Sequence, residues 1–135
     1  MALNFPTSPA TNTEYTLESK TWVYNGFAWD LKTSAPTISI TTASTSAEIL
    51  DSFSSTAYRT AKYYIQAVKN SNVHSLEMLI THDGTNVYAT VFAEIYDTSS
   101  LFTVNSYITS GTLNVSVQSV LAGTTIKASK VLIPL

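Results

Sequence analysis

From residue 37 onward, apolar and polar side chains alternate along most of the chain. Ala61, Tyr63, Ile65 and Ala67 alternate with Lys62, Tyr64, Gln66 and Val68; Val87, Ala89, Val91, Ala93 and Ile95 alternate with Asn86, Tyr88, Thr90, Phe92 and Glu94; Leu113, Val115 and Val117 alternate with Asn114, Ser116 and Gln118. A period of two is the signature of strands with one buried face. It predicts strands near 37–42, 47–52, 58–69, 74–82, 86–96, 102–109, 112–121 and 124–133. Turn-forming residues separate them: Asn70-Ser71-Asn72, Asp83-Gly84, Asp97-Thr98-Ser99-Ser100, Ser110-Gly111 and Ala122-Gly123. Strands broken by turn signals about every 10 residues point to an antiparallel sandwich or barrel. All four prolines (Pro6, Pro9, Pro36, Pro134) fall outside the expected strand interiors, as ladder hydrogen bonding requires. One segment reads two ways, since residues 47–57 could instead form a short helix with Ser46 as its cap and Glu48 in its first turn.

The first part of the chain differs. Residues 1–19 are polar and turn-forming and are expected to be an extended arm with no core of its own. Next comes Lys20-Thr21-Trp22-Val23-Tyr24-Asn25-Gly26-Phe27-Ala28-Trp29-Asp30-Leu31. Asn-Gly between aromatic runs is the strongest short hairpin signal, because a type I′ turn needs φ > 0 at both central residues. With Asn25-Gly26 as the loop, Tyr24 pairs with Phe27 and Trp22 with Trp29, so all four aromatics share one face. Cross-strand pairs contribute roughly 0.2–1 kcal/mol each, so this face should be covered by something. Lys32-Thr33-Ser34-Ala35-Pro36 reads as a linker. The expected organisation is therefore a region 1–36 (arm, aromatic hairpin, linker) and a β-domain 37–135. The fold class is all-β: an antiparallel β-sandwich of about eight strands, preceded by an extended N-terminal arm and a small aromatic β-hairpin.

Composition sharpens this. Only 12% of the 135 residues are charged, against about 25% in an average domain, and the difference is made up by 21 Thr and 18 Ser. With 44% hydrophobic residues the chain is no candidate for disorder. No apolar run approaches the ~20 residues that span a bilayer. The opening Met-Ala-Leu-Asn-Phe-Pro has neither the basic nor the apolar region of a secretory signal. With no cysteine, disulfides, thiolate metal sites and cysteine nucleophiles are excluded. A net charge of −2 without a Lys/Arg cluster leaves no footprint for nucleic acid or an anionic membrane.

Candidate chemistry is sparse. His74 and His82 share a strand face but sit roughly 26 Å apart, too far to ligate one metal. His82 is explained as the strand-end residue before the Asp83-Gly84 turn. Among the nine acids the best pair is Glu77 and Glu94, which flank one predicted hairpin; a pairing sum near 169 sets Glu77 opposite Phe92, with Glu94 as the diagonal neighbour. Glycoside hydrolysis needs two carboxylates roughly 5–10 Å apart in a cleft, whereas two solvated acids on an outer sheet face need nothing. There is no calcium-loop pattern, and the four glycines each fit a turn. No catalytic, cofactor or metal residue is therefore assigned. The feature with functional edge is the aromatic hairpin: Trp and Tyr on a sheet face can stack on sugar rings, or can pack against the main domain or a neighbouring chain. The second reading is favoured, because four exposed aromatics would be a liability in solution.

The segments Asn4-Phe5-Pro6-Thr7-Ser8-Pro9, Tyr15 and Thr21-Trp22-Val23-Tyr24-Asn25-Gly26-Phe27-Ala28-Trp29 resemble a short element common in virion structural proteins of tailed phages, tail-fibre proteins of marine and cyanobacterial phages among them. Thr56-Ala57-Tyr58-Arg59-Thr60-Ala61-Lys62-Tyr63, Glu77-Met78-Leu79-Ile80-Thr81-His82-Asp83-Gly84-Thr85 and Thr124-Thr125-Ile126-Lys127 are similar to a β-domain of cyanophage structural proteins. The resemblance implies a virion location and a non-enzymatic role in capsid decoration or in the neck, tail or fibre. It implies no catalytic residues and no cofactor. Partners would be other virion proteins and further copies of the chain, with a trimer favoured by analogy with fibres and decoration proteins. Phe5, Pro6, Trp22, Tyr24, Phe27 and Trp29 are the expected interface residues. The alternative is a carbohydrate-binding module that uses the Trp22/Tyr24/Phe27/Trp29 face on a surface glycan.

Overall fold

The computed structural model describes residues 4–17, 20–32 and 37–135, and all of its regular structure is β. The chain divides into two compact units, Met1–Ala35 and Pro36–Leu135. Of the expected linker, only Lys32 lies within the described residues.

The first unit is a three-stranded antiparallel sheet of β1 (Glu14–Leu17), β2 (Lys20–Tyr24) and β3 (Trp29–Leu31), in the order β1-β2-β3. The N-terminal segment is thus not the coreless extended arm that its composition suggested. Left-handed backbone at Ser8 and Asn12 (φ 55° and 70°) bends it, and Asn12 N–H donates to Tyr24 O (2.7 Å). The bent segment feeds β1, which pairs Tyr15 with Trp22.

The β2–β3 register also differs from expectation. Tyr24 pairs with Trp29, Val23 with Asp30 and Trp22 with Leu31, so the loop is Asn25–Ala28, four residues instead of two. Asn25 explains the change. Its Oδ1 accepts hydrogen bonds from the N–H groups of Phe27 and Ala28 (2.9 Å each), and its N–H donates to Ala28 O (3.0 Å). The side chain thus satisfies the loop itself, and positive φ is needed only at Gly26 (100°). A slip of two residues keeps each strand's faces unchanged, but it moves Phe27 out to the loop tip, where it is 95% exposed.

The second unit is an antiparallel β-sandwich of eight strands: β4 (Ile38–Thr41), β5 (Ala47–Ser54), β6 (Tyr58–Lys69), β7 (Asn72–His82), β8 (Val87–Tyr96), β9 (Phe102–Thr109), β10 (Thr112–Ser119) and β11 (Thr125–Pro134). They form a five-stranded sheet, β4-β11-β6-β7-β8, and a three-stranded sheet, β5-β10-β9. Segment 47–57 is strand and turn, not helix. β5 pairs with β10, and Glu48 accepts from the N–H groups of Ala43 and Ser44 (2.9 and 3.1 Å), tying down the loop before its strand. Pro134 ends β11 at a register shift, where no ladder donor is required.

Along β6 and β10 the alternation sorts the side chains as predicted; β8 departs from it, being exposed at nine of its ten residues, and a register shift beside Ala93 sets Ile95 opposite Ser75 on the outer face instead of in the expected buried row. Ala61, Tyr63, Ile65 and Ala67 of β6, Leu76, Met78 and Ile80 of β7, and Ile126 and Ala128 of β11 are buried together with Leu50, Phe53, Leu113, Val115 and Val117 of the smaller sheet. A polar contact crosses this core. Tyr63, fully buried, donates its hydroxyl to Asp51 Oδ2 (2.7 Å), and Lys130 Nζ lies 2.6 Å from the same oxygen. The carboxylate of β5 is thereby tied to β6 and β11, two neighbouring strands of the opposing five-stranded sheet. Burial first, and then the bond to Asp51, push the Tyr63 hydroxyl far above the ordinary tyrosine pKa.

Candidate functional site

Four of the six expected interface residues form one cluster. β2 and β3 set Trp22, Tyr24 and Trp29 on one face, and the pairing of Tyr15 with Trp22 adds a fourth ring from β1. Phe5 lies over them. Its ring stacks on Trp29 (5.0 Å between centroids, 12° between planes) and meets Tyr15 and Trp22 edge-on at 5.3 and 5.5 Å. Tyr24 tilts against Trp29 at 5.5 Å. Such pairs contribute about 0.5–1.5 kcal/mol each beyond area burial, and they give the three strands the hydrophobic face that a small sheet needs to stand on its own. Pro6 and Phe27 are not part of the cluster and stand exposed. Tyr15 belongs to the segments that carry the resemblance but was not among the expected interface residues, although Tyr15 and Leu17 carry the period-two signal of a strand. A sugar ring would need the open flat face of an aromatic side chain, and Phe5 lies against that of Trp29.

Both histidines are buried structural groups with the same tautomer, in which Nδ1 accepts and Nε2 carries the proton. His82 Nδ1 accepts from Gly84 N–H (3.1 Å) and its Nε2–H donates to Tyr58 O (2.7 Å), closing the β7–β8 turn onto the start of β6. His74 Nδ1 accepts from Leu101 N–H (3.2 Å). Its Nε2 lies 3.0 Å from Glu94 Oε1, off the line of a hydrogen bond.

The two candidate carboxylates part company. Glu77 pairs with Phe92 as the register predicted and makes an ion pair with Lys62 (2.7 Å) on the outer face. The Lys62 ammonium is held above its usual pKa first by that bond to Glu77. Glu94 was expected as the diagonal neighbour on the same face. Ala93 has φ 51°, and the register shifts between Ser75 and Glu77. That β-bulge turns Glu94 to the inner side, against His74. An open groove of about 560 Å³ runs across the outer face of the five-stranded sheet, lined by Tyr64, Gln66, Glu77, Ile95, Lys127 and Ser129 among others, and Glu94 takes no part in it. Among the described residues no group of three or more His, Asp or Glu is placed to hold a metal ion.

Asp83 completes the set of perturbed groups. It accepts from the N–H groups of Asn86 and Thr85 (2.7 and 2.8 Å), the Asn86 amide and the Tyr88 hydroxyl. These bonds, the Asn86 N–H foremost, hold its carboxyl well below the usual range, and the same contact raises the Tyr88 hydroxyl. This is turn chemistry, which satisfies loop donors with a fixed carboxylate.

No protein-family model matches the chain, and no curated protein matches it. Among solved structures, it is similar over 100% of its length to 26% of the tailspike protein of the Acinetobacter phage vB_ApiP_P1, at 18% identity and a TM-score of 0.44. The chain thus spans about a quarter of the length of that protein.

Proposed function

We propose that this chain is a structural protein of a phage virion, present in many copies and working through protein–protein contacts without catalysis, as a capsid decoration protein or a component of the neck, tail or fibre. The sequence resemblance supplies the virion setting. The observation that carries the contact role is the surface of the sandwich: in a chain with few charges, Ile95, Val131 and Ile133 stand 71%, 58% and 55% exposed. Val131 and Ile133 on β11 and Ile95 on β8 share the outer face of the five-stranded sheet, and large apolar side chains left exposed on one face favour association over solitary life in water. Partners are other virion proteins and further copies of the chain, with the three-fold arrangement favoured by analogy. Pro6 and Phe27, exposed beside a closed aromatic cluster, are the residues of the first unit that offer contact to a partner; Phe5, Trp22, Tyr24 and Trp29 shape the unit that presents them.

The rival reading, sugar binding by the aromatic face, separates cleanly from this one. Trp22→Ala and Trp29→Ala each remove a ring that packs on Phe5. Both substitutions are expected to lower the stability of the first unit, with no glycan affinity to lose on an array of bacterial surface oligosaccharides. Glycan binding by the parent chain that either substitution abolishes, at an unchanged thermal midpoint, would overturn the contact reading in favour of a carbohydrate-binding module.

A further inference from the structure

β8 is an edge of the five-stranded sheet, and among the described residues no strand lies on its other side. Nine of its ten residues are exposed. The inner face of β7 is buried at His74, Leu76, Met78 and Ile80, yet on the next strand only Val87 packs against the core and Val91 remains 41% exposed, so the inner face of β8 is left open beyond Val87. The outer face shows Tyr88 and Phe92, 56% and 40% exposed. Edges of this kind are commonly blunted by lysine, proline or shortness. The opposite edge, β4, has only four residues. β8 has no lysine or proline, and its single charge is Glu94, turned toward His74.

The backbone groups that β8 turns outward follow from the register. Asp83 N–H donates to Asn86 O, and hydrogen-bonded pairs alternate along an antiparallel ladder. From Thr81↔Tyr88, Leu79↔Thr90 and Glu77↔Phe92, the N–H and C=O groups of Tyr88, Thr90 and Phe92 face β7. Those of Val87, Ala89 and Val91 face away from the sheet.

We propose that this edge pairs with the same edge of a second copy, antiparallel about a two-fold axis at Ala89, so that the two five-stranded sheets become one. The inference rests on the reading that the chain assembles in several copies, and it names the contact. In this register Val87 of each copy lies opposite Val91 of the other, and Ala89 lies opposite Ala89. Outward donors then meet outward acceptors, giving about six new backbone hydrogen bonds. Val87 and Val91 from both copies gather on the inner face, and Tyr88 stands across from Thr90 on the outer face. No like charges meet, because Glu94 lies beyond the paired segment. The bulge at Ala93 ends the pairing by reversing which groups point outward.

Two substitutions in the full chain test this. Ala89→Pro removes an N–H that β7 does not use, so the sheet is retained while the contact loses its central pair. Val91→Lys places a charge in the apolar cluster of both copies. Sedimentation equilibrium of the parent chain is expected to give an even number of copies, two or six. Each substitution should halve that number, to one or three, with unchanged far-ultraviolet circular dichroism. Should Ala89→Pro fail to fold, Val91→Lys carries the test. An even mass that survives the substitutions, or a parent chain that is purely trimeric, refutes the edge pairing and leaves multi-copy assembly standing. A monomer at every concentration refutes the pairing and self-association together, and leaves contact with other virion proteins to be decided by the content of the particles.

Discussion

Replacing Tyr63 by Phe removes one hydroxyl from the centre of the sandwich and leaves the ring in place. That hydroxyl is fully buried and donates 2.7 Å to Asp51, which keeps Lys130 as its other partner. A hydrogen bond to a charged acceptor contributes about 1.5–3 kcal/mol. With the Lys130 pair still in place, the lower end applies, about 1.5 kcal/mol near pH 7. The alkaline behaviour makes the prediction specific. Tyr63 has a folded-state pKa raised above its unfolded value of 10.0, so its contribution is complete below pH 10 and is lost as pH rises beyond it. The loss is about 1.4 kcal/mol per pH unit, because only the unfolded chain releases the proton. Tyr63→Phe has no such loss. Parent and variant should therefore differ by about 1.5 kcal/mol at pH 7 and converge near pH 11. Urea unfolding followed by far-ultraviolet circular dichroism measures this; both tryptophans lie in the first unit, so their fluorescence follows that unit separately. Parallel stability curves from pH 7 to 11 would refute the account of the Asp51–Tyr63–Lys130 contact.

Other outcomes follow from the same geometry. Trp29→Ala should cost the first unit about 2 kcal/mol, below the 3–5 kcal/mol of a fully buried Trp because Trp29 is only half-buried, and it should leave the dichroism transition of the sandwich in place. Asp83 has a folded-state pKa held below its unfolded value; its contribution is present above about pH 4 and is lost as pH falls further, so Asp83→Asn should flatten the acid limb of the stability curve measured between pH 6 and 2. Ala93 adopts φ 51° in the bulge; Ala93→Gly should raise stability by about 0.5–1 kcal/mol in urea unfolding, the reverse of the usual cost of Gly in a strand.

The sandwich was legible in the sequence because its strands are long and have one wet face. Where side chains alternate over a dozen residues, as from Tyr58 to Lys69, period, length and pairing all agree, and the β7–β8 turn could be centred closely enough to pair Glu77 with Phe92. Single-residue events were not legible. The bulge at Ala93 has no glycine to announce it, so Glu94 was placed on the wrong face. The loop at Asn25 was misjudged because an Asn-Gly pair can satisfy a two-residue turn through its backbone or a four-residue loop through its side chain, and only tertiary context decides. That context is the aromatic cluster: the two-residue slip sets Tyr24 opposite Trp29, next to the ring that Phe5 covers. The stack of Phe5 on Trp29, across 24 positions of chain, leaves no periodic trace. It is also why a segment that reads as a coreless arm is folded.

The most direct test of the central claim is the protein content of phage particles. Particles from a phage encoding this chain, purified from the lysate on a density gradient and digested for quantitative peptide mass spectrometry, are expected to contain it in many copies, in constant ratio to the other structural proteins. Peptides of this chain in the lysate but absent from the purified particles would contradict the account.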